Sequence, residues 1–251
     1  MWKVIAADDE AYIREALQKL INWKKMDCIL EKTVSDGQEL LDEIQKEMPD
    51  IVITDIQMPG ADGLELCKYL YETSPETQVI ILTAYSDFEY AKQAIKYSAC
   101  EYVLKISIMD ELPGAVEKAI GKLSKLKKEI ETEENGKKDE PESLLHQIDQ
   151  YVEKNYCKKI TLDDIADSLH VNRSYLSRYY KNKTGINLFD EILNRRVEKA
   201  KEYLSTTGLR TYEVSEAVGV EDAGYFSKMF KKITGVSPKE FRKREQNEEK
   251  N

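Results

Sequence analysis

Short apolar runs alternate with amphipathic stretches through the first half of the chain, and then the runs stop. Those at 3–7, 29–34, 51–54, 79–83 and 102–105 are rich in Val, Ile and Leu and predict strands buried on both faces. Between them, apolar residues recur at helical spacing over about 10–21, 37–47, 62–73, 87–97 and 110–130. Five strands alternating with five helices predict a five-stranded parallel sheet covered on both sides, over residues 1–127. In such a sheet, chemistry gathers at the carboxyl ends of the strands.

Residues 128–141 carry no apolar period; the last helix is expected to fray into them, with a flexible break marked by Asn135-Gly136 and Pro141, so this stretch is expected to be a linker. Beyond it, residues 142–251 read as almost all helix with one internal repeat. IADSLHVNRSYLSRYYKNKTGI aligns with VSEAVGVEDAGYFSKMFKKITGV, matching Tyr175 to Tyr225, Ser177 to Ser227 and Thr184-Gly185 to Thr234-Gly235 at an offset of 50. One repetition is too few for a solenoid and describes a duplicated module.

Charge changes the picture only when divided. The net charge of -9 splits into -8 over 1–127, -3 over 128–141 and +2 over 142–251. Basic residues cluster at 171–185 and 223–244, which suits a nucleic-acid-binding module joined to an acidic one. The four cysteines have no metal-ligand or disulfide spacing, and neither do His146 and His170. No segment reaches the length of a membrane span, and the N-terminus turns acidic at once. A cytoplasmic protein is expected.

Asp8-Asp9 follows the first strand and Asp55 ends the third. Neighbouring parallel strands would bring these carboxylates to one edge, where they repel unless a hard cation joins them, and Mg²⁺ prefers such oxygen ligands. Thr83 and Lys105, at the ends of strands four and five, add a hydroxyl and an ammonium. These are the parts needed to place a phosphoryl group on a carboxylate. Any one of these acids alone would be an ordinary solvated group; their order along the chain is the signal.

The order DDE, TDIQMPGADG, LTA, YVLK resembles the receiver domain of two-component response regulators, and the segment AYSDFEYAKQAIKYSACEYVLK is similar to YesN-type receivers. The resemblance implies a flavodoxin-like fold with Asp55 as phosphoacceptor. It implies Asp8, Asp9, Asp55 and the Gln57 carbonyl as Mg²⁺ ligands, Thr83 and Lys105 on the phosphoryl group, and Tyr102 as the switch aromatic. Three positions depart from the pattern. Lys105-Ile106 replaces a lysine–proline pair, Ala6-Ala7 replaces larger residues beneath the site, and Ser98 stands where glycine is common.

In the repeat, Thr161 and Thr211 are expected to cap the first helix of each unit, with turns at His170–Asn172 and Gly219. Leu176, Tyr179 and Tyr180, like Phe226, Met229 and Phe230, should pack inward. That leaves Arg173, Ser174, Ser177, Arg178 and Lys181 outward on the first reading helix, and Ala223, Gly224, Ser227 and Lys228 on the second. The first unit is expected to carry most base preference, and Lys231, Lys232 and Arg242 to grip phosphate. With RRVEKAKEYL in a connecting helix at about 188–204 and TGVSPKEFRK at the end, the region resembles the AraC/XylS-type DNA-binding domain.

Together the resemblances imply a multidomain transcription regulator. Its expected partners are double-stranded DNA, a sensor histidine kinase and RNA polymerase, with a homodimer on phosphorylation and no membrane. Two alternatives remain. A haloacid-dehalogenase-type phosphatase needs a second acid near its nucleophile, which Asp55-Ile56-Gln57 lacks. A regulator whose receiver acts only as a dimerisation or interaction module would follow if Lys105-Ile106 had disabled the pocket.

Overall fold

The computed structural model describes residues 1–84, 88–136 and 141–248. It divides into two compact units, Met1–Gly136 and Lys137–Asn251. In the first, strands β1 (Trp2–Ala7), β2 (Cys28–Val34), β3 (Ile51–Asp55), β4 (Gln78–Thr83) and β5 (Glu101–Leu104) form one parallel sheet in the order β2-β1-β3-β4-β5. Helices α1 (Ala11–Lys19), α2 (Gly37–Lys46), α3 (Gly63–Thr73), α4 (Phe88–Lys96) and α5 (Ile108–Gly136) connect or follow the strands.

The two-residue period of a strand sends alternate side chains to opposite faces, and both faces here are covered. Val4, Ala6, Ile51, Ile53, Ile80 and Leu82 pack with Ile13 and Leu17 of α1 and Leu112 and Val116 of α5. Ile5, Ala7, Val52, Val79 and Ile81 pack with Leu40 and Ile44 of α2, Leu64 and Leu70 of α3 and Ala94 of α4. Ala6 and Ala7 are fully buried, so small side chains here leave no exposed gap. The sheet order reverses between β1 and β3, where Ala7 pairs with Thr54 and Asp8 and Asp55 follow at the same edge.

The strand ends fall within one residue of the sequence reading. β3 includes Asp55, and β5 stops at Leu104 because Lys105–Ser107 turns into a single 3-10 turn. The stretch 128–141, expected as a linker, is helical through Gly136 in α5, since Glu and Lys are good helix formers without an apolar period; 137–140 lie outside the described residues. The Lys105–Ile106 peptide is trans. Ser98 adopts φ 55°, the left-handed conformation that glycine takes more cheaply.

The second unit comprises α6 (Pro141–Asn155), α7 (Leu162–Ser168), α8 (Arg173–Thr184), α9 (Leu188–Thr206), α10 (Thr211–Ala217), α11 (Ala223–Thr234) and α12 (Pro238–Glu248). Thr161 caps α7 in a reciprocal box, its hydroxyl accepting from Asp164 N while Asp164 Oδ2 accepts from Thr161 N at 2.8 Å. Thr211 is not the cap expected of it. It is the first helical residue of α10, and Arg210 N donates to Glu213 Oε2 at 2.6 Å. The 19 residues of α9 span about 28 Å at 1.5 Å per residue. Their inner face, Val197, Ala200 and Leu204, packs with Val214, Val218, Phe226, Met229 and Phe230. Arg196, also of α9, donates to the carbonyls of Tyr156 and Lys158 at 2.8 Å each and pins the segment between α6 and α7.

Candidate functional site

At the carboxyl edge of the sheet the Lys105 ammonium donates to three carboxylates: Asp55 Oδ2 at 2.8 Å, Asp8 Oδ1 at 3.0 Å and Glu10 Oε2 at 2.5 Å. Burial alone would depress this lysine, but the hydrogen bonds to Asp55, Glu10 and Asp8 outweigh it and leave the ammonium raised above its usual range. Asp8 is fully buried, and burial pushes its carboxyl up to about 6 despite the lysine. The Glu10 carboxyl, paired with Lys105, is held below the usual carboxylate range.

The loop that presents Asp55 depends on Gly63. A Cβ there would lie 2.0 Å from the Asp55 carbonyl oxygen, and Gly63 N instead donates to Ile56 O at 2.9 Å. Asp62 caps α3 through Glu65 N at 2.7 Å and fixes the loop's far end. Thr83 is buried at the end of β4, and Tyr102 is half-buried on β5, paired in register with Ile81. Gln57 is exposed and its side-chain amide donates to Tyr90 of α4 at 3.1 Å.

For a cation, two observations bear on fit. Carboxylate oxygens of Asp8, Asp9 and Glu10 lie within 4.8 Å of one another. Asp8 Oδ2, fully buried, touches the lysine ammonium at 2.9 Å but has no partner in hydrogen-bond geometry. An all-oxygen set with a buried unsatisfied carboxylate oxygen suits a hard divalent ion. Glu10 was not singled out from the sequence, although it stands beside Asp8-Asp9 in the same acidic triplet. Arg14, also missed, donates to the carbonyls of Asp8 and Asp9 at 2.6 and 2.9 Å and fixes their backbone.

The second unit holds two helix-turn-helix pairs, α7–α8 and α10–α11. On α8, Arg178 and Lys181 are exposed as expected. Ser174 and Ser177 are not, and both are buried. The helix lies against both α7 and α9, so it buries a wider arc than one apolar stripe, and serines are small enough to fit beneath its neighbours. Arg173 is mostly covered, with its guanidinium 3.2 Å from Asp163 of α7.

On α11, Phe226, Met229 and Phe230 pack inward while Gly224, Lys228, Lys231 and Lys232 are exposed. Ala223 and Ser227 are half-buried, and the Ser227 hydroxyl donates to Ala223 O at 2.8 Å. Tyr225 is 45% exposed although its repeat partner Tyr175 is 4% exposed, an asymmetry that the shared sequence conceals. Arg242, expected on phosphate, donates to Leu204 O in the last turn of α9 at 3.2 Å and to Leu209 O in the loop that follows.

Residues 4–117 match the model of the response regulator receiver domain, and residues 165–244 that of a helix-turn-helix domain. A protein of Staphylococcus epidermidis described as an uncharacterized response regulatory protein is 31% identical over 97% of this chain and 99% of its own length. The chain belongs to the response regulators. This regulator joins a receiver domain to an AraC-type helix-turn-helix domain. The transcriptional regulatory protein HptR of Staphylococcus aureus is 31% identical over 96% of the regulator and 98% of its own length. Among solved structures, the REC domain of AraT, a response regulator from Geobacillus stearothermophilus, shares 36% identity over 50% of the regulator and 98% of that chain, with TM-score 0.47. The C-terminal domain of the regulator yesN from Fusobacterium nucleatum shares 40% identity over 38% of the regulator and 93% of that chain, with TM-score 0.37. Among the described residues, no helix is long and apolar enough to cross a membrane.

Proposed function

We propose that a sensor histidine kinase phosphorylates Asp55 and that the phosphorylated regulator pairs and binds double-stranded DNA to control transcription in the cytoplasm. The observation that carries this reading is the 2.8 Å contact from Lys105 to Asp55 on a trans Lys105–Ile106 peptide. The lysine reaches the acceptor without the proline that usually follows it, which supports a receiver that takes phosphate. Asp8, Asp9, Asp55 and the Gln57 carbonyl would hold Mg²⁺, which when bound offsets charge on phosphoryl oxygens. Asp55 supplies the attacking carboxylate, and Lys105 and Thr83 donate to the phosphoryl oxygens.

Movement of Thr83 toward the phosphate would open the space into which Tyr102 turns. Pairing through α4, β5 and the start of α5 is supported by exposed Phe88, Ile95, Ile106 and Met109 there, apolar side chains whose burial would favour a dimer. Two DNA-binding domains held together engage adjacent half-sites at higher effective concentration, and bound DNA brings RNA polymerase within reach. Asp55-Ile56-Gln57 has no second acid two residues on to polarise an external leaving group, which supports a receiver whose chemistry is its own phosphorylation and dephosphorylation.

The test is incubation with acetyl phosphate and Mg²⁺, read by intact mass for the wild type and Asp55→Asn, with light scattering in parallel. A phosphoryl mass gain in the wild type alone, with a shift toward dimer, supports the reading. Absence of the gain in both proteins overturns it and leaves a receiver that only mediates assembly.

A further inference from the structure

The Lys105 ammonium has three hydrogens, and three carboxylates take them. A phosphoryl oxygen arriving at Asp55 therefore finds no free donor on the lysine unless one carboxylate lets go. Asp8 is fully buried, and Asp55 is the group that would form the new bond. The third, Glu10, has a side chain that is 39% exposed and can exchange the ammonium for water at small cost. Its other oxygen accepts from the Tyr12 hydroxyl at 3.0 Å, which holds the carboxylate facing the lysine.

We infer that Glu10 is a positioning residue that competes with the incoming phosphoryl group for Lys105 and so restrains phosphorylation of Asp55. In that reaction an Asp55 carboxylate oxygen bonds to phosphorus while the bond from phosphorus to the acyl oxygen of the donor breaks. The electron pair leaves with the acyl carboxylate. The transferred group carries its negative charge toward Lys105, and the Glu10 carboxylate both occupies the needed donor and repels that charge. Glu10 is thus set apart from Asp8 and Asp9, although its oxygens lie within 4.8 Å of theirs. It acts chiefly on the lysine and contributes to the cation only through its charge. The inference rests on Asp55 being the phosphoacceptor.

The opposing signs of two effects make a test. Glu10→Gln replaces the charged competitor with a weaker, neutral acceptor and removes one negative charge, so phosphorylation by acetyl phosphate at saturating Mg²⁺ should become about threefold to tenfold faster. The same loss of charge should weaken Mg²⁺ binding by about twofold to fivefold, measured by calorimetry without phosphoryl donor. Tyr12→Phe keeps the charge but releases the carboxylate, and should accelerate phosphorylation by a smaller factor with Mg²⁺ affinity unchanged. A purely structural role for Glu10 would lower rate and affinity together. An unchanged or slower rate in Glu10→Gln, with the wild type gaining its phosphoryl mass, overturns this inference alone; no gain in the wild type overturns it together with the reading on which it rests.

Discussion

His170 and Gly219 occupy the same place in the two helix-turn-helix units, the second residue beyond the first helix, and both adopt left-handed backbone, at φ 53° and 81°. Their surroundings differ. A Cβ on Gly219 would lie 2.7 Å from the carbonyl carbon and oxygen of Cys157 and 2.9 Å from the carbonyl oxygen of Lys158. The chain between α6 and α7 is itself held by Arg196, so it has little room to retreat. Gly219→Ala should cost about 2–4 kcal/mol, combining left-handed strain with backbone overlap. His170→Gly should change stability by no more than about 1 kcal/mol, because relief of strain is offset by a more flexible unfolded chain. Both tryptophans, Trp2 and Trp23, lie in the receiver. Their fluorescence should therefore unfold as in the wild type while the helical circular dichroism of Gly219→Ala melts early. A coincident loss in both signals would contradict the argument.

Base preference should rest most heavily on Arg178. It is exposed on α8, whereas Arg173 is turned to Asp163 and Ser174 and Ser177 are buried. An arginine that pairs bidentately with guanine contributes about 1–3 kcal/mol of discrimination. In a randomised-site selection, Arg178→Ala should flatten preference at one or two positions of the half-site, while Lys228→Ala lowers affinity with the logo intact. Equal flattening by both would remove the distinction between the two readers.

The fold was legible because its period was simple. Alternating runs such as Ile51–Asp55 announce strands buried on both faces, and five of them between helical stretches leave few topologies. Asp8, Asp55, Thr83 and Lys105 were legible as a set because parallel strands deliver their ends to one edge. Ser174 and Ser177 were not. Helical spacing assigns a residue to a face, but the number of helices packed against α8 decides how much of its circumference is covered, and those neighbours are not written in the local pattern. Arg242 and Glu10 failed for a related reason. The carbonyls to which Arg242 donates are 38 and 33 residues away, and the lysine that Glu10 meets is 95 residues away. Nothing within a few positions announces either partner.

Tyr225 should contribute to DNA affinity while Tyr175 contributes to stability. The two align in the repeat, but only Tyr225 is presented from the first turn of its reading helix, beside Gly224 and one turn before Lys228. An exposed aromatic there can lie against sugar or a thymine methyl. Tyr225→Ala should weaken binding about threefold to thirtyfold with an unchanged melting curve, and Tyr175→Ala should lower the melting temperature, given the buried ring lost. Fluorescence anisotropy on a selected site would measure the first effect; undiminished affinity in folded Tyr225→Ala would refute it.

Among basic residues near the end of the chain, salt dependence should separate binders from braces. Lys231 and Lys232 are exposed on the last turn of α11, and losing either should reduce the slope of log affinity against log salt by about one. Arg242 ties α12 to the last turn of α9 and to the loop after it through two carbonyls. Arg242→Ala should leave those carbonyls unpaired, lower stability by about 1–3 kcal/mol and leave the salt slope nearly unchanged. A one-unit fall in slope with wild-type stability would return Arg242 to the phosphate backbone.

Asp8 ties the receiver's stability to pH. Its folded carboxyl is raised to about 6 from an ordinary 3.8, with burial the main cause. An acid raised on folding stabilises the folded state only while protonated. Its penalty is absent below the ordinary carboxylate range, grows as pH rises to about 6 and persists above it. Asp8→Asn keeps the shape and removes the buried charge. The metal-free variant should therefore be more stable than the wild type near neutral pH, by up to about 3 kcal/mol, and the difference should shrink steadily as pH falls below about 6. Tryptophan fluorescence during urea unfolding isolates the receiver for this comparison. Mg²⁺ should stabilise the wild type by offsetting the same charge and should do much less for Asp8→Asn. If the two proteins unfold alike near neutral pH without metal, the buried carboxylate carries no penalty and the cost of burial assigned to Asp8 is wrong.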